Sequence, residues 1–104
     1  MRIIIEDEYL KSLYQNARSI GKPKFNQEIE LKFIRRVIQM EQAINTNDLR
    51  ALKSLHFEKL SGKFNGKYSI RVNEAFRIIF RIEKDDNNIR IEIICIEELS
   101  NHYS

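Results

Sequence analysis

The sequence predicts an α+β fold in which an N-terminal strand and an antiparallel two-helix hairpin pack on a C-terminal antiparallel β-meander, in the order β-α-α-β-β-β. Two observations carry that prediction. Apolar residues recur at helical spacing through the first half of the chain, and they alternate with polar ones through the second half. Two helices that are each apolar on one side bury those sides most simply against a sheet.

Arg2 to Glu6 is a β-branched run and predicts a short strand. From Asp7 the period changes. Leu10, Leu13, Tyr14 and Ala17 fall on one helical face, with acids in the first turn, and Gly21-Lys22-Pro23 ends the helix. Asn26 is a good N-cap for a second helix. There Ile29, Phe33, Val37, Met40 and Ile44 mark one face, and Ile34 and Ile38 widen it. This helix fades at Asn45-Thr46-Asn47, and Asp48 to Leu52 predicts one further turn.

Strand alternation follows. Tyr68, Ile70 and Val72 alternate with Ser69, Arg71 and Asn73; Phe76, Ile78, Phe80 and Ile82 with Arg77, Ile79 and Arg81; Ile89, Ile91, Ile93 and Cys95 with Arg90, Glu92 and Ile94. Asn73-Glu74 and Asp85 to Asn88 are the predicted turns, and Phe57 to Leu60 is a possible extra strand. One face of the meander serves the helices. The other gathers Arg71, Arg77 and Arg81, with Glu92 on the adjacent strand.

A chain of 104 residues, 42% hydrophobic and 32% charged, is sized for a single soluble domain spanning 1–104. It buries roughly two thirds of its unfolded surface, enough for one core but not for a deep pocket as well, so an open groove is expected. Cys95 is the only cysteine. No intrachain disulfide is possible, and a reducing cytoplasm is the simplest setting. MRIIIEDE does not read as a signal peptide, and no segment approaches a membrane span.

Charge is strongly polarised. Residues 53–82 hold seven Lys or Arg against two acids, net +5, whereas residues 83–104 hold two against six, net −4. Such a concentration suggests a phosphate-rich partner. Several chemistries find no support. His56, His102 and Cys95 match no metal-ligand spacing, and no cofactor is expected. Gly62 to Lys67 is too short for a phosphate loop and lacks the Ser or Thr after the lysine. Cys95 falls on the predicted apolar face, where a cysteine is usually core.

Among the remaining groups, Arg71 and Arg77 flank the centre of a predicted hairpin. Two adjacent guanidiniums repel unless an anion lies between them, and a phosphodiester fits. The bland alternative is a solvated face paired with Glu74, Glu83 or Glu92. As a solvent-facing strand residue, Arg77 is expected to contribute little to stability. Lys59, Lys63 and Lys67 enter from the preceding loop, where they track a nucleic-acid backbone or simply confer solubility. Tyr68 and Phe64 stack on bases or pack in the core. The tail from Leu99 to Ser104 is a frayed end, or it folds His102 and Tyr103 back beside the arginines as proton-transfer groups. Glu58 and Glu92 are the other possible bases, and His56 reads as structural.

The run Phe57-Glu58-Lys59-Leu60-Ser61-Gly62, followed by Gly66-Lys67-Tyr68-Ser69-Ile70-Arg71-Val72-Asn73-Glu74-Ala75-Phe76-Arg77-Ile78-Ile79-Phe80, resembles toxins of the RelE/ParE superfamily, most closely the HigB branch of plasmid maintenance killer proteins. In that branch a Leu-x-Lys-Leu-x-Gly segment leads into Gly-x-[Tyr/Trp]-Ser-Ile-Arg-[Ile/Val]-Asn and then [Trp/Phe/Tyr]-Arg-Ile-x-Phe. The resemblance implies the toxic half of a type II toxin–antitoxin pair, a ribosome-dependent mRNA interferase that cuts mRNA in the ribosomal A site. It works without a metal, using the RNA 2′-hydroxyl as nucleophile. By position, Arg71 and Arg77 would hold the scissile phosphate. Lys59, Lys63 and Lys67 would bind the RNA backbone or ribosomal RNA; Arg81 of the polar face and Tyr68 join them as RNA-binding candidates from the strand pattern rather than from the resemblance. Tyr103 would correspond to the family's C-terminal tyrosine, with His102 a candidate acid or base.

Two departures bear on the general base. Where well-known members read Asp-Tyr-His, this chain has Cys95-Ile96-Glu97, and a histidine often found before the glycine loop aligns with Glu58. Glu58, Glu92, His102 and Tyr103 therefore form the shortlist. The implied partners are a helix-turn-helix (HigA-like) antitoxin, the ribosome and mRNA, and operator DNA only through the antitoxin complex; no membrane is involved. Rival readings are a non-catalytic ParE-like poison of DNA gyrase and an inactive domain that binds the antitoxin.

Overall fold

The isoleucine run does form a strand, β1 (Arg2–Ile5), and α1 (Glu8–Asn16) follows it. The structure is a computed structural model and describes residues 1–16 and 21–101. The Asn26 side chain accepts a hydrogen bond from the Ile29 N–H and starts α2 (Gln27–Gln42). Asn45 does the same for α3 (Thr46–Ala51), the short further turn. The extra strand is present as β2 (Glu58–Lys59), and β3 (Tyr68–Arg71), β4 (Arg77–Lys84) and β5 (Glu92–Ser100) complete the sheet.

The sheet runs β1-β5-β4-β3-β2. Strands β2 to β5 form the predicted antiparallel meander, and β1 joins parallel to β5, which makes the sheet mixed. Leu10 and Leu13 of α1 and Ile29, Phe33, Val37 and Met40 of α2 bury against Ile70, Ile78, Phe80, Ile94, Ile96 and Leu99 of the sheet. At roughly 1.5–3 kcal/mol per fully buried large apolar side chain, this layer supplies most of the force holding helices to sheet.

Several expectations need correction. Ile44 is 84% exposed, because α2 stops at Gln42 and Ala43 is already extended, so the helical period no longer applies. Ile38 is also exposed. Ile89 and Ile91 precede β5 and are exposed. The turn is longer than predicted: Asp85 accepts from the N–H groups of Asn87 and Asn88, and Asn88 accepts from that of Arg90.

The phase of β5 is also reversed. Ile94 and Ile96 face the helices, and Cys95 lies on the opposite face beside Arg81, although still buried. Ile79 pairs with Glu98 but Phe80 pairs with Ile96, leaving Glu97 as the extra residue of a β-bulge. That bulge lets Ile96 and Leu99, three residues apart, reach the same core. Leu99 and Ser100, expected in a frayed tail, are buried at the end of β5. His102 and Tyr103, like Ala17 of the predicted first helix, lie outside the described residues.

Candidate nucleic-acid interface

The β3–β4 turn is set by Asn73, whose carboxamide oxygen accepts from the N–H groups of Ala75 (2.9 Å) and Phe76 (2.8 Å). The Val72 N–H donates to the Phe76 carbonyl at 2.9 Å. This register makes Arg71 and Arg77 direct cross-strand partners. Such partners have Cβ atoms roughly 4.5–5.5 Å apart on one face.

The two arginines differ in freedom. The Arg77 side chain is only 11% exposed, so the expectation of a solvent-facing residue is corrected. Its Nε donates to the Ser69 hydroxyl (2.7 Å), an Nη donates to the His56 carbonyl (2.6 Å), and Glu58 stands 3.5 Å away. Ser69 is fully buried. His56 adopts a left-handed conformation (φ 46°) that closes the 3-10 turn Lys53–Leu55 and presents its carbonyl, while its side chain is exposed. Arg71 is 32% exposed and has one loose contact, 3.8 Å to Glu74, whose side chain is 95% exposed. A pair so exposed contributes little, and Arg71 can exchange that partner for an anion.

Glu58 arrives by strand pairing. It lies opposite Ser69 on β2, hence on the arginine face. Lys59 lies opposite Tyr68 and projects from the other side of the same edge, exposed. Lys63, on the 3-10 turn Gly62–Phe64, places its ammonium 5.2 Å from the centre of the Phe64 ring. The Tyr68 ring packs against Phe57 (5.4 Å) and Phe80 (6.1 Å) on the helix side, realising its packing alternative.

Arg81 and Lys67 are placed differently from expectation. Arg81 donates to Glu6 (2.5 and 2.8 Å), Glu83 (2.9 Å) and Glu97 (3.1 Å), and Lys67 bonds the other Glu97 oxygen at 2.5 Å. These contacts raise the Arg81 pKa further, and the Arg81 hydrogen bond holds the Glu6 carboxyl below its ordinary value. Burial pushes the neighbouring Cys95 thiol up, away from the thiolate. Both cations are occupied by carboxylates: Glu83 is a near neighbour of Arg81, as the bland alternative allowed, whereas Glu6 and Glu97 lie far away in sequence.

Glu92 does not share the arginine corner. Its strand partner is Lys84, seven residues along β4 from Arg77, about 23 Å at strand rise. Its carboxylate accepts from the Thr46 N–H (2.7 Å) and from Lys84 (3.3 Å), serving the start of α3. Burial opposes its ionisation, but the Thr46 and Lys84 hydrogen bonds outweigh that and leave its pKa lowered.

The sequence reading missed the basic side of α2. Arg36 reaches across to donate to the Arg71 carbonyl at 2.9 Å and to Gln39 at 2.8 Å. Lys32, Arg35, Arg36, Gln39 and Val72 line an open depression of about 280 Å³ beside the hairpin. Its signal was the Arg35-Arg36 doublet one turn after Lys32, off the apolar stripe. Among the described residues no group of three or more His, Cys, Asp or Glu is placed to hold a metal ion.

A family model described as the RelE-like toxin of the type II toxin–antitoxin system HigB matches residues 4–93. The chain belongs to this family. A Haemophilus influenzae protein of uncharacterised function is 36% identical over 87 residues, covering 83% of this chain and 84% of the relative. Solved RelE-like structures share the fold. A YoeB/ParE toxin from Agrobacterium tumefaciens superposes with a TM-score of 0.56 at 14% identity, covering 99% of this chain and all of its own. YafQ from Escherichia coli gives 0.54 at 11% identity, with 98% and 94% covered. A chain of a YoeB–YefM complex from Staphylococcus aureus gives 0.52 at 21% identity, with 99% and 98% covered. Among the described residues of this HigB-family toxin, no helix is long and apolar enough to cross a membrane.

Proposed function

We propose that this HigB-family toxin is a ribosome-dependent mRNA interferase that cuts mRNA in the ribosomal A site. The observation that carries the reading is the Arg71–Arg77 cross-strand pair, one guanidinium held by Ser69 and His56 and the other loosely engaged. In the reaction the 2′-hydroxyl loses its proton and its oxygen attacks the adjacent phosphorus. The 5′-oxygen leaves and takes up a proton, giving a 2′,3′-cyclic phosphate and a 5′-hydroxyl. Charge grows on the phosphoryl oxygens, and a fixed guanidinium stabilises that state more than the ground state.

Arg77 supplies the fixed charge and Arg71 closes on the phosphate. Glu58, 3.5 Å from Arg77, is the described proton acceptor at this corner. Ser100 is the strand partner of Arg77, so β5 ends at the same corner. His102 and Tyr103 remain the other proton-transfer candidates. Lys32 and Arg35 beside the hairpin supply cations for the RNA backbone, and the exposed Lys59, on the other side of the β2 edge, and Lys63 are further backbone contacts in this reading. Glu92, Tyr68, Arg81 and Lys67 have structural roles in this reading. The expected partner is a helix-turn-helix antitoxin, a reading supported by a neighbour solved as a YoeB–YefM complex, with operator DNA reached through that complex.

Cleavage mapping in a reconstituted translation reaction tests the proposal. Cuts within the A-site codon, dependent on translating ribosomes and lost in folded Arg71→Ala, are expected. Intact mRNA with the folded wild type overturns it, and broken DNA in the presence of gyrase would then point to the ParE-like reading.

A further inference from the structure

β1 is an edge strand, and its sequence is complementary to itself. Arg2-Ile3-Ile4-Ile5-Glu6 reads cation, three isoleucines, anion. The Glu6 N–H donates to the Ile96 carbonyl, which fixes the phase of the parallel ladder: the even-numbered residues turn their backbone groups toward β5. Ile3 and Ile5 therefore turn their N–H and C=O groups to the outer edge. Among the described residues, no hydrogen bond reaches that edge. An open space of about 340 Å³ lies beyond it, lined by Ile3, Ile4 and Ile5 and walled by Lys11, Tyr14 and Glu41. Ile4, on the face away from the helices, is 39% exposed.

We infer that β1 is a self-association edge, pairing antiparallel with β1 of a second copy about a two-fold axis through Ile4. In that register Ile3 lies opposite Ile5 of the partner subunit and Ile5 opposite the partner's Ile3. All four outward-facing groups of each strand are then satisfied. The two Ile4 side chains meet on the axis. Arg2 and Glu6 lie on the same face as Ile4, so each Arg2 stands opposite the partner's Glu6 at both ends of the pairing. Arg2 is free to do so: its side chain is 61% exposed and its contact with Asp85 is 3.6 Å long. Glu6 bonds Arg81 through both oxygens, and a carboxylate has acceptor capacity beyond those two bonds. A shift of one or two residues loses both charge pairs and leaves backbone groups unmatched. The wall is neutral, with Lys11 against Glu41, and does not repel a second copy. An unprotected β-branched edge usually carries a cation or proline that discourages pairing; here the charges favour one register.

Three strand spacings, about 14 Å, separate β1 from β3, so the association leaves the arginine corner open and does not depend on its proposed chemistry. Sedimentation equilibrium on the purified full chain, without antitoxin, tests the inference. Wild type is expected to form a reversible dimer. Arg2→Glu alone and Glu6→Arg alone each place like charges opposite one another and weaken it by on the order of a hundredfold. An equimolar mixture of the two variants restores dimers, because every facing pair is again opposite in sign. Hydrogen exchange adds a residue-level readout: the Ile3 and Ile5 amides slow as concentration rises, and that of Ile4 does not. Should Glu6→Arg fail to fold for loss of its Arg81 contact, Ile4→Lys, which places two ammoniums on the axis, is expected to give a folded monomer. A monomeric wild type overturns the inference, as does a dimer that survives both Arg2→Glu and Ile4→Lys. A mixture of folded variants that stays monomeric overturns the register.

Discussion

Two basic regions lie along the arginine face of the sheet, and among the described residues they differ in how closely carboxylates engage them. Around Arg81 and Lys67 stand Glu6, Glu83 and Glu97, three carboxylates for two cations. Around Arg71 and Arg77, continuing over the hairpin to Lys32, Arg35 and Arg36, the described carboxylates are Glu58, Glu74 and Glu28, and the Arg71 contact is a loose one. In sequence the two regions look alike, since Lys67, Arg71, Arg77 and Arg81 follow one another within fifteen positions on or beside the predicted strands. The difference is where distant acids arrive. β1 brings Glu6 across 75 positions, and the bulge in β5 turns Glu97 onto both cations. An arginine count predicts a binding surface only after its carboxylate partners have been located.

The largest effect that separates the regions is on cleavage. Arg71→Ala should reduce A-site cleavage by about a hundredfold or more, with unfolding free energy changed by less than about 0.5 kcal/mol. Arg81→Ala should do the reverse, with near-normal cleavage and a stability loss of about 1 kcal/mol as three carboxylates lose their shared cation. Cleavage rates and urea unfolding on the same two proteins check both; equal loss of cleavage would erase the distinction.

Arg77 belongs to both categories. Arg77→Ala should abolish cleavage and also cost about 1–3 kcal/mol, because it strips the buried Ser69 hydroxyl of its donor. This departs from the expectation of a surface arginine that could be removed without structural cost. Urea unfolding of Arg77→Ala beside Arg71→Ala measures the gap.

A smaller effect concerns pH. The Glu6 and Glu92 pKa values are lower in the folded chain than in the unfolded one. Their contribution to stability is therefore present above the ordinary carboxylate pKa and is lost as pH falls through the lowered folded values. In Arg81→Ala the Glu6 part of that acid dependence should vanish, while Glu92→Gln removes the other part and leaves cleavage intact. Denaturation profiles below neutral pH resolve the two.

His56→Gly should be the mildest change. Its φ of 46° suits glycine, so the carbonyl that holds Arg77 stays in place and stability moves by less than about 1 kcal/mol. A β-branched residue there should cost more, measured by the same unfolding assay.

Much of the fold was legible because it follows local periodicity. The Asn26 cap, the buried stripe from Ile29 to Met40 and the Arg71–Arg77 hairpin all depend on neighbours within a few residues. The errors fall where periodicity breaks. The Glu97 bulge inverted nothing locally visible, yet it carried Leu99 into the core and closed off a tail that reads as polar. The reversed phase of Cys95 followed from isoleucines on both faces of β5, which leave alternation without a sign. At the site, the motif around Ser69 to Arg77 marked the right hairpin, whereas alternation placed Glu92 on the arginine face, which it does not share; Tyr68 lies on the helix face that alternation gave it and packs there rather than stacking on bases.

By itself the sequence determined the helices, the hairpin, the polarised charge and the family, because each is written in short-range spacing or in a contiguous motif. Tertiary structure decided which cations keep their charge available, which acid stands beside Arg77, and that β1 lies at a sheet edge with a self-matching register. Those outcomes depend on pairings between segments remote in the chain, and electrostatic interactions act through space rather than along the backbone.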